Sequence, residues 1–168
     1  MKIFIDSADV DEIRQFYKWG IADGVTTNPS LIKKAVDARK GKKLDMKKYI
    51  VEILKIAKGT PVSLEVTKRD TKGMIEEGRK LYKMFNLVAN NVYIKIPVNS
   101  ALKESEEQFA GIEAIRTLSK SRIPINCTLV FTPEQGLMAA KAGASFVSPF
   151  AGRVDDLIRK GTKFDKIA

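Results

Sequence analysis

Val92-Tyr93-Ile94-Lys95-Ile96-Pro97-Val98 places four β-branched side chains on one face of an extended strand. Tyr93 and Lys95 fall on the other, because successive side chains alternate. A fully buried central strand would be apolar on both faces, as open parallel sheets covered by helices require. A lysine in mid-strand instead asks for one apolar face under helices and one face opening onto a polar interior.

The neighbouring strands repeat the asymmetry. In Pro61–Thr67, Val62, Leu64 and Val66 oppose Ser63, Glu65 and Thr67; in Pro124–Val130, Ile125, Cys127 and Leu129 oppose Asn126 and Thr128. In Lys2–Asp6, Ile3 and Ile5 oppose Phe4 and Asp6. Gly24–Thr26 and Ser145–Phe150 complete six short strands. Helical stretches are expected from Ser7, from Thr27-Asn28-Pro29-Ser30 to about Lys58, from Thr71 to Met84, from Glu104 to Ser119 and from Pro133 to Ala142, with a last helix in which the chain ends. Strands alternating with helices imply right-handed βαβ units and a parallel sheet, either doubly wound or closed as a barrel. One-sided apolarity, with charges and amides towards the strand C-terminal ends, favours an α/β fold of the (β/α)8 barrel type.

Composition limits the chemistry. The 168 residues contain no histidine and a single cysteine, Cys127. That removes histidine-dependent triads, imidazole acid–base catalysis, histidine-ligated zinc, intrachain disulfides and thiolate zinc clusters. A hydrophobic content of 44% is that of a globular chain. Met1-Lys2-Ile3-Phe4-Ile5-Asp6 has no signal-peptide apolar stretch, and no run reaches the ~18 apolar residues of a membrane span. A cytoplasmic protein without membrane association is the expectation. The net charge is +10, and Lys33–Lys48 supplies +6 of it. With no aromatic before Tyr49 and no nucleic-acid motif, this segment reads as a solvated loop and helix face whose field attracts anionic sugar phosphates.

Lysine, carboxylates, hydroxyls and amides remain. Lys95, flanked by isoleucines, is either a desolvated amine suited to imine formation or a lysine that snorkels from a strand end. Asp6 is a candidate general acid–base or the cap of the helix that follows. Glu65 and Thr128 share the inner face and suit a polarised water; a structural Glu65–Lys95 ion pair is the alternative. Thr26-Thr27-Asn28-Pro29 reads as a turn or as a substrate-hydroxyl site. Arg153, just after the sixth strand, suits a phosphate or is a surface arginine.

Several stretches together resemble the transaldolase family, in particular its small single-domain members, which include fructose-6-phosphate aldolase. They are Ile3-Phe4-Ile5-Asp6-Ser7-Ala8, Gly24-Val25-Thr26-Thr27-Asn28-Pro29-Ser30, Val62-Ser63-Leu64-Glu65-Val66, Val92-Tyr93-Ile94-Lys95-Ile96-Pro97, Ile125-Asn126-Cys127-Thr128-Leu129-Val130-Phe131 and Ala139-Ala140-Lys141-Ala142-Gly143-Ala144, ending with Val147-Ser148-Pro149-Phe150-Ala151-Gly152-Arg153-Val154-Asp155-Asp156. The resemblance implies a (β/α)8 barrel with cofactor-free Schiff-base chemistry on sugar phosphates. It makes Lys95 the imine-forming amine and Asp6 the proton acceptor when the carbon–carbon bond breaks. Glu65 and Thr128 position a water; Thr27, Asn28, Asn126, Ser148 and Phe150 contact the substrate, and Arg153 its phosphate. Phe150, where the aldolase branch carries tyrosine, and Glu65, where it tends to carry glutamine, point to a transaldolase of the pentose phosphate pathway. That enzyme moves a dihydroxyacetone unit from sedoheptulose 7-phosphate or fructose 6-phosphate to an aldose phosphate.

Six βα units are counted where the family has eight. Residues 1–168 are therefore expected to form one C-terminally truncated barrel domain, with the seventh strand's phosphate contacts missing. The loop Asn99–Gln108 also looks longer and more charged than the family's usual turn. Unpaired strand edges favour association, so a homo-oligomer is expected. An aldolase releasing dihydroxyacetone, and an inactive fragment or non-catalytic barrel-like protein, are the competing readings.

Overall fold

The computed structural model describes residues 2–39, 45–99 and 107–161. Six strands alternate with seven helices: β1 (Phe4–Asp6), α1 (Val10–Lys18), β2 (Gly24–Thr26), α2 (Pro29–Ala38), α3 (Met46–Ile56), β3 (Val62–Glu65) and α4 (Thr71–Ala89), followed by β4 (Val92–Pro97), α5 (Ala110–Lys120), β5 (Ile125–Val130), α6 (Pro133–Ala142), β6 (Phe146–Pro149) and α7 (Ala151–Arg159). All neighbouring strands are parallel and the spatial order is β1-β2-β3-β4-β5-β6, without the reversal that defines a doubly wound sheet. The sheet curls strongly. Phe4 of β1 and Phe146 of β6 meet with ring centroids 5.3 Å apart, and Tyr93 lies 5.2 Å from Phe146. Inner side chains of the first, fourth and last strands touch, so the six strands wrap as part of a (β/α)8 barrel whose N-terminal end is filled by aromatic rings.

The apolar strand faces pack outwards under the helices as their alternation requires. Val62, Leu64, Ile94, Ile96, Ile125 and Cys127 are buried with Ile13, Ile53, Met74, Ile115 and Leu118 of the helical layer. Asn91, at the start of β4, donates through Nδ2 to the carbonyls of Leu54, Ala57 and Thr60 and so ties α3 and its exit to the sheet. At the open side, Val147 of β6 is 40% exposed, and α7 buries none of its residues. Among the described residues, β1 and β6 each pair on one side only. No helix there is long and apolar enough to cross a membrane.

Several boundaries differ from the sequence reading for local reasons. α1 begins at Val10 because Asp9 is its cap, accepting from the backbone N–H groups of Asp11 and Glu12. The expected helix to Lys58 is two helices: Arg39 leaves helical geometry at the end of α2, and the Asp45 carboxylate caps α3 through the Lys47 N–H. Residues 40–44 of the basic segment lie outside the described residues; Lys33, Lys34, Lys47 and Lys48 are exposed. α4 runs on to Ala89, where Asn90 adopts φ 53° and ends it. α5 begins at Ala110, and most of the Asn99–Gln108 loop, residues 100–106, lies outside the described residues. α7 ends at Arg159, before the end of the chain.

Leu129 departs most. Cys127 pairs with Val147 but Val130 with Pro149, so β5 carries one extra residue, and Leu129 takes φ 57°. A bulge of this kind inverts the alternation beyond it. Leu129, expected outside with Ile125 and Cys127, lines the interior cleft instead.

Candidate active site

The C-terminal strand ends surround a cleft of about 920 Å³, within the ~300–1,000 Å³ usual for small-molecule sites. Asp6 from β1, Glu65 from β3, Lys95 from β4 and Ser148 from β6 reach it from four strands. The loops that follow add Asn28, Phe150 and Arg153.

Lys95 is only 4% exposed. Its Nζ donates to the Thr27 carbonyl at 3.2 Å and lies 3.4 Å from Glu65 Oε2. β3 and β4 pair Glu65 directly with Lys95, so the register itself creates this contact. The ion pair left open by the sequence is therefore present, and it forms part of the cleft wall. Burial pushes the Glu65 carboxyl above the usual carboxylate range; the Lys95 ammonium opposes the shift, and the nearby Asp6 adds to it. Glu65 thus keeps its proton to a higher pH than a solvated glutamate.

Asp6 is exposed at the end of β1. The capping role that competed for it belongs to Asp9, while Ser7 Oγ donates to Glu12 Oε2 at 2.6 Å and accepts from the Asp9 N–H. With α1 capped this way, Asp6 faces the cleft. Behind it, buried Tyr49 of α3 donates its hydroxyl to the Ala8 carbonyl at 2.8 Å and anchors the loop that follows Asp6.

The remaining candidates divide by depth. Asn28 caps α2, its Oδ1 accepting from the Leu31 N–H at 2.9 Å, and its side chain lines the cleft. Thr27 is fully buried and outside the lining: its hydroxyl donates to the Ser63 carbonyl, and its own carbonyl receives Lys95. Thr128 is buried, and its Oγ1 has no hydrogen-bond partner among the described residues. Asn126, 3% exposed, sits beneath the lining with Nδ2 donated to Ser63 Oγ at 3.0 Å and Oδ1 accepting from Ser148 Oγ at 2.9 Å. Phe150 packs edge-to-face on Phe131, centroids 5.6 Å apart, and forms one wall. Arg153 lies exposed in the first turn of α7, where helix N–H groups also favour an anion. Cys127 lies on the outer face, its thiol pushed up to about 12 by burial, and takes no part in the cleft.

Ser63 and Leu129 were missed by the sequence reading. Ser63 shares strand parity with Glu65, and that parity was the available signal. Leu129 carried no signal, because the bulge that turns it inwards has no sequence signature here.

Three comparisons bear on the origin of this site. The family model for transaldolase/fructose-6-phosphate aldolase matches residues 3–167. A probable transaldolase of Thermoplasma acidophilum is 50% identical over 161 residues, covering 96% of this chain and 64% of that protein. One from Aquifex aeolicus is 46% identical over 163 residues, covering 97% and 65%, and one from Methanococcus vannielii 48% over 161 residues, covering 96% and 65%. The chain thus spans just under two thirds of the length of these relatives. Among solved structures, a 2,3-dimethylmalate lyase of the PEP mutase/isocitrate lyase superfamily superposes with TM-score 0.55 at 13% identity, over 87% of this chain and 56% of that one. Dihydrodipicolinate synthase from Rhodopseudomonas palustris gives 0.52 at 18% identity, over 95% and 59%. At these identities the two structures speak for the fold alone. The match along nearly the whole sequence decides the relationship: the chain belongs to the transaldolase/fructose-6-phosphate aldolase family.

Proposed function

We propose that this site performs Schiff-base chemistry on a phosphorylated ketose, as a transaldolase. The observation that carries the reading is a buried lysine amine opening onto the cleft, 3.4 Å from a glutamate that burial keeps protonated beyond the usual range. The Lys95 ammonium passes a proton to the Glu65 carboxylate, and the free amine adds to the ketone carbonyl, giving a carbinolamine. Glu65, with Thr128 Oγ1 free to hold a water, protonates the departing hydroxyl, and water leaves as the iminium forms. Asp6 then takes the proton from the hydroxyl on the carbon whose bond to the dihydroxyacetone unit breaks. The electron pair of that bond moves onto the iminium to give an enamine. The aldose departs, and the enamine attacks the carbonyl of an acceptor aldose, reversing the steps. Arg153 and the α7 N-terminus suit the substrate phosphate.

Phe150 and Glu65 favour transfer over release. Phenylalanine has no hydroxyl to protonate the enamine, so the intermediate persists until an acceptor arrives. The apolar wall made by Phe150, braced edge-to-face by Phe131, supports this reading over the aldolase alternative.

Borohydride reduction of the chain with fructose 6-phosphate tests the proposal. The expected result is a mass increase localised to Lys95 and absent from Lys95→Ala; failure to trap any adduct overturns it. Adding erythrose 4-phosphate then separates the two activities. Transfer yields sedoheptulose 7-phosphate, whereas an aldolase yields free dihydroxyacetone without the acceptor.

A further inference from the structure

Beneath the cleft lining a hydrogen-bond chain crosses the barrel interior from β3 to β6. Ser63 Oγ accepts from Asn126 Nδ2 at 3.0 Å, and Asn126 Oδ1 accepts from Ser148 Oγ at 2.9 Å. Ser63 is fully buried and Asn126 nearly so, whereas Ser148 reaches the cleft. Ser63 is itself immobilised, because the Thr27 N–H and hydroxyl both donate to its carbonyl, at 3.2 and 2.8 Å. A carboxamide has two distinguishable ends, and a 180° turn exchanges them. Here the NH2 end meets Ser63 Oγ and the carbonyl end meets Ser148 Oγ, so the carboxamide is held from both sides. A serine hydroxyl has one proton. Ser148 gives its proton to Asn126, so towards the cleft it offers lone pairs only.

We infer that Ser63 is a positioning residue which, through the Asn126 carboxamide, holds the Ser148 hydroxyl in place to hydrogen-bond a substrate hydroxyl. The inference rests on the ketose reading of the cleft and deepens it. Ser148 reaches the cleft, whereas Ser63 is buried beneath the lining and acts only through Asn126. Without Ser63 the carboxamide can turn, and the NH2 end then competes for the lone pairs that the substrate hydroxyl would use.

The test is the concentration dependence of borohydride trapping at Lys95 with fructose 6-phosphate, for wild type, Ser63→Ala, Ser148→Ala and the double variant, each with its melting temperature. One net hydrogen bond is worth roughly a five- to tenfold change in affinity. The expected result for Ser63→Ala is a half-saturating concentration raised by about that factor, with the limiting trapping rate within about twofold of wild type. The double variant should match Ser148→Ala, since both changes act through one hydroxyl. Ser63→Thr, which keeps the oxygen, should restore binding if it melts as wild type does. If Ser63→Ala fails to fold, Ser63→Cys replaces it, with similar volume but a weak acceptor and the same expected loss. Wild-type binding by the substituted chain, or losses that multiply in the double variant, would overturn the inference and leave the ketose reading standing. Absence of trapping in the wild type overturns both.

Discussion

Glu65 and Lys95 face each other in the β3–β4 register with Oε2 and Nζ 3.4 Å apart, yet burial holds the Glu65 carboxyl above its ordinary range despite the ammonium. Desolvation therefore outweighs the ion pair at the carboxyl. The folded value lies above the unfolded one, so between the two the native state binds the extra proton. Stability contributed by Glu65 is present below the unfolded carboxyl range and is lost as pH rises through the raised folded value. Glu65→Gln removes this dependence. The melting-temperature difference, wild type minus variant, should be more positive near about pH 4 than near about pH 7.5. A difference that is flat across this range would contradict the account. Loss of proton delivery should also slow trapping at Lys95 by roughly 10² or more.

Asp6 faces the cleft while Asp9 caps α1. Asp9 satisfies two N–H groups of α1, so Asp9→Ala should lower unfolding free energy by about 1 kcal/mol in urea titration and leave trapping intact. Asp6→Asn should change stability by less than about 0.5 kcal/mol. It should still allow the imine to form at Lys95, while carbon–carbon cleavage falls by roughly 10² to 10⁴. Equal stability losses from the two substitutions would return the cap to Asp6.

The sheet and much of the site were readable because strand alternation is a strong, local signal. Asp6, Glu65, Lys95 and Ser148 lie in the C-terminal halves of their strands, and a curved parallel sheet brings them to one cleft. Depth was less readable. Thr27, Asn126 and Thr128 carry the right polar atoms, but only the packed structure shows that they lie buried beneath the lining. Asp6 illustrates competition between neighbouring signals, since Ser7, Asp9 and Asp11 all resemble helix entries and only geometry assigns the cap. The reversal at Leu129 depends on how β5 and β6 pair across the sheet, and no local pattern encodes it.

The bulge gives a backbone prediction that opposes ordinary residue preferences. Leu129 holds φ 57°, in the left-handed region that costs an L-residue roughly 1 kcal/mol or more. Leu129→Ala and Leu129→Gly both remove the half-buried side chain, so their difference isolates the backbone. Glycine should be the more stable by about 0.5–1 kcal/mol, after its greater unfolded-state entropy offsets part of the relief. Paired urea titrations measure this; the usual order, alanine above glycine, would show that the positive φ carries no strain.

Two helical glycines that pack against the lysine strand should respond very unequally to an added methyl group. A Cβ on Gly111, in the first turn of α5, would collide with the Pro97 carbonyl oxygen and come within 2.7 Å of the Val98 oxygen. Both are backbone atoms at the end of β4, and the Val98 N–H is bonded to the Thr128 carbonyl at 2.9 Å. Relief requires α5 or the strand end to move, which should cost Gly111→Ala more than about 3 kcal/mol and slow trapping at Lys95. A Cβ on Gly78 of α4 would instead meet Leu118 Cδ1 at 2.9 Å and Ile94 Cγ2 at 3.2 Å. The Leu118 side chain can rotate away, and alanine gains about 1 kcal/mol of helix propensity over glycine. Gly78→Ala should therefore stay within about 1 kcal/mol of wild type and trap normally. Similar losses at both positions in urea titration would mean that the β4 end yields as easily as a leucine rotamer, and that α5 does not hold the strand carrying Lys95 in place.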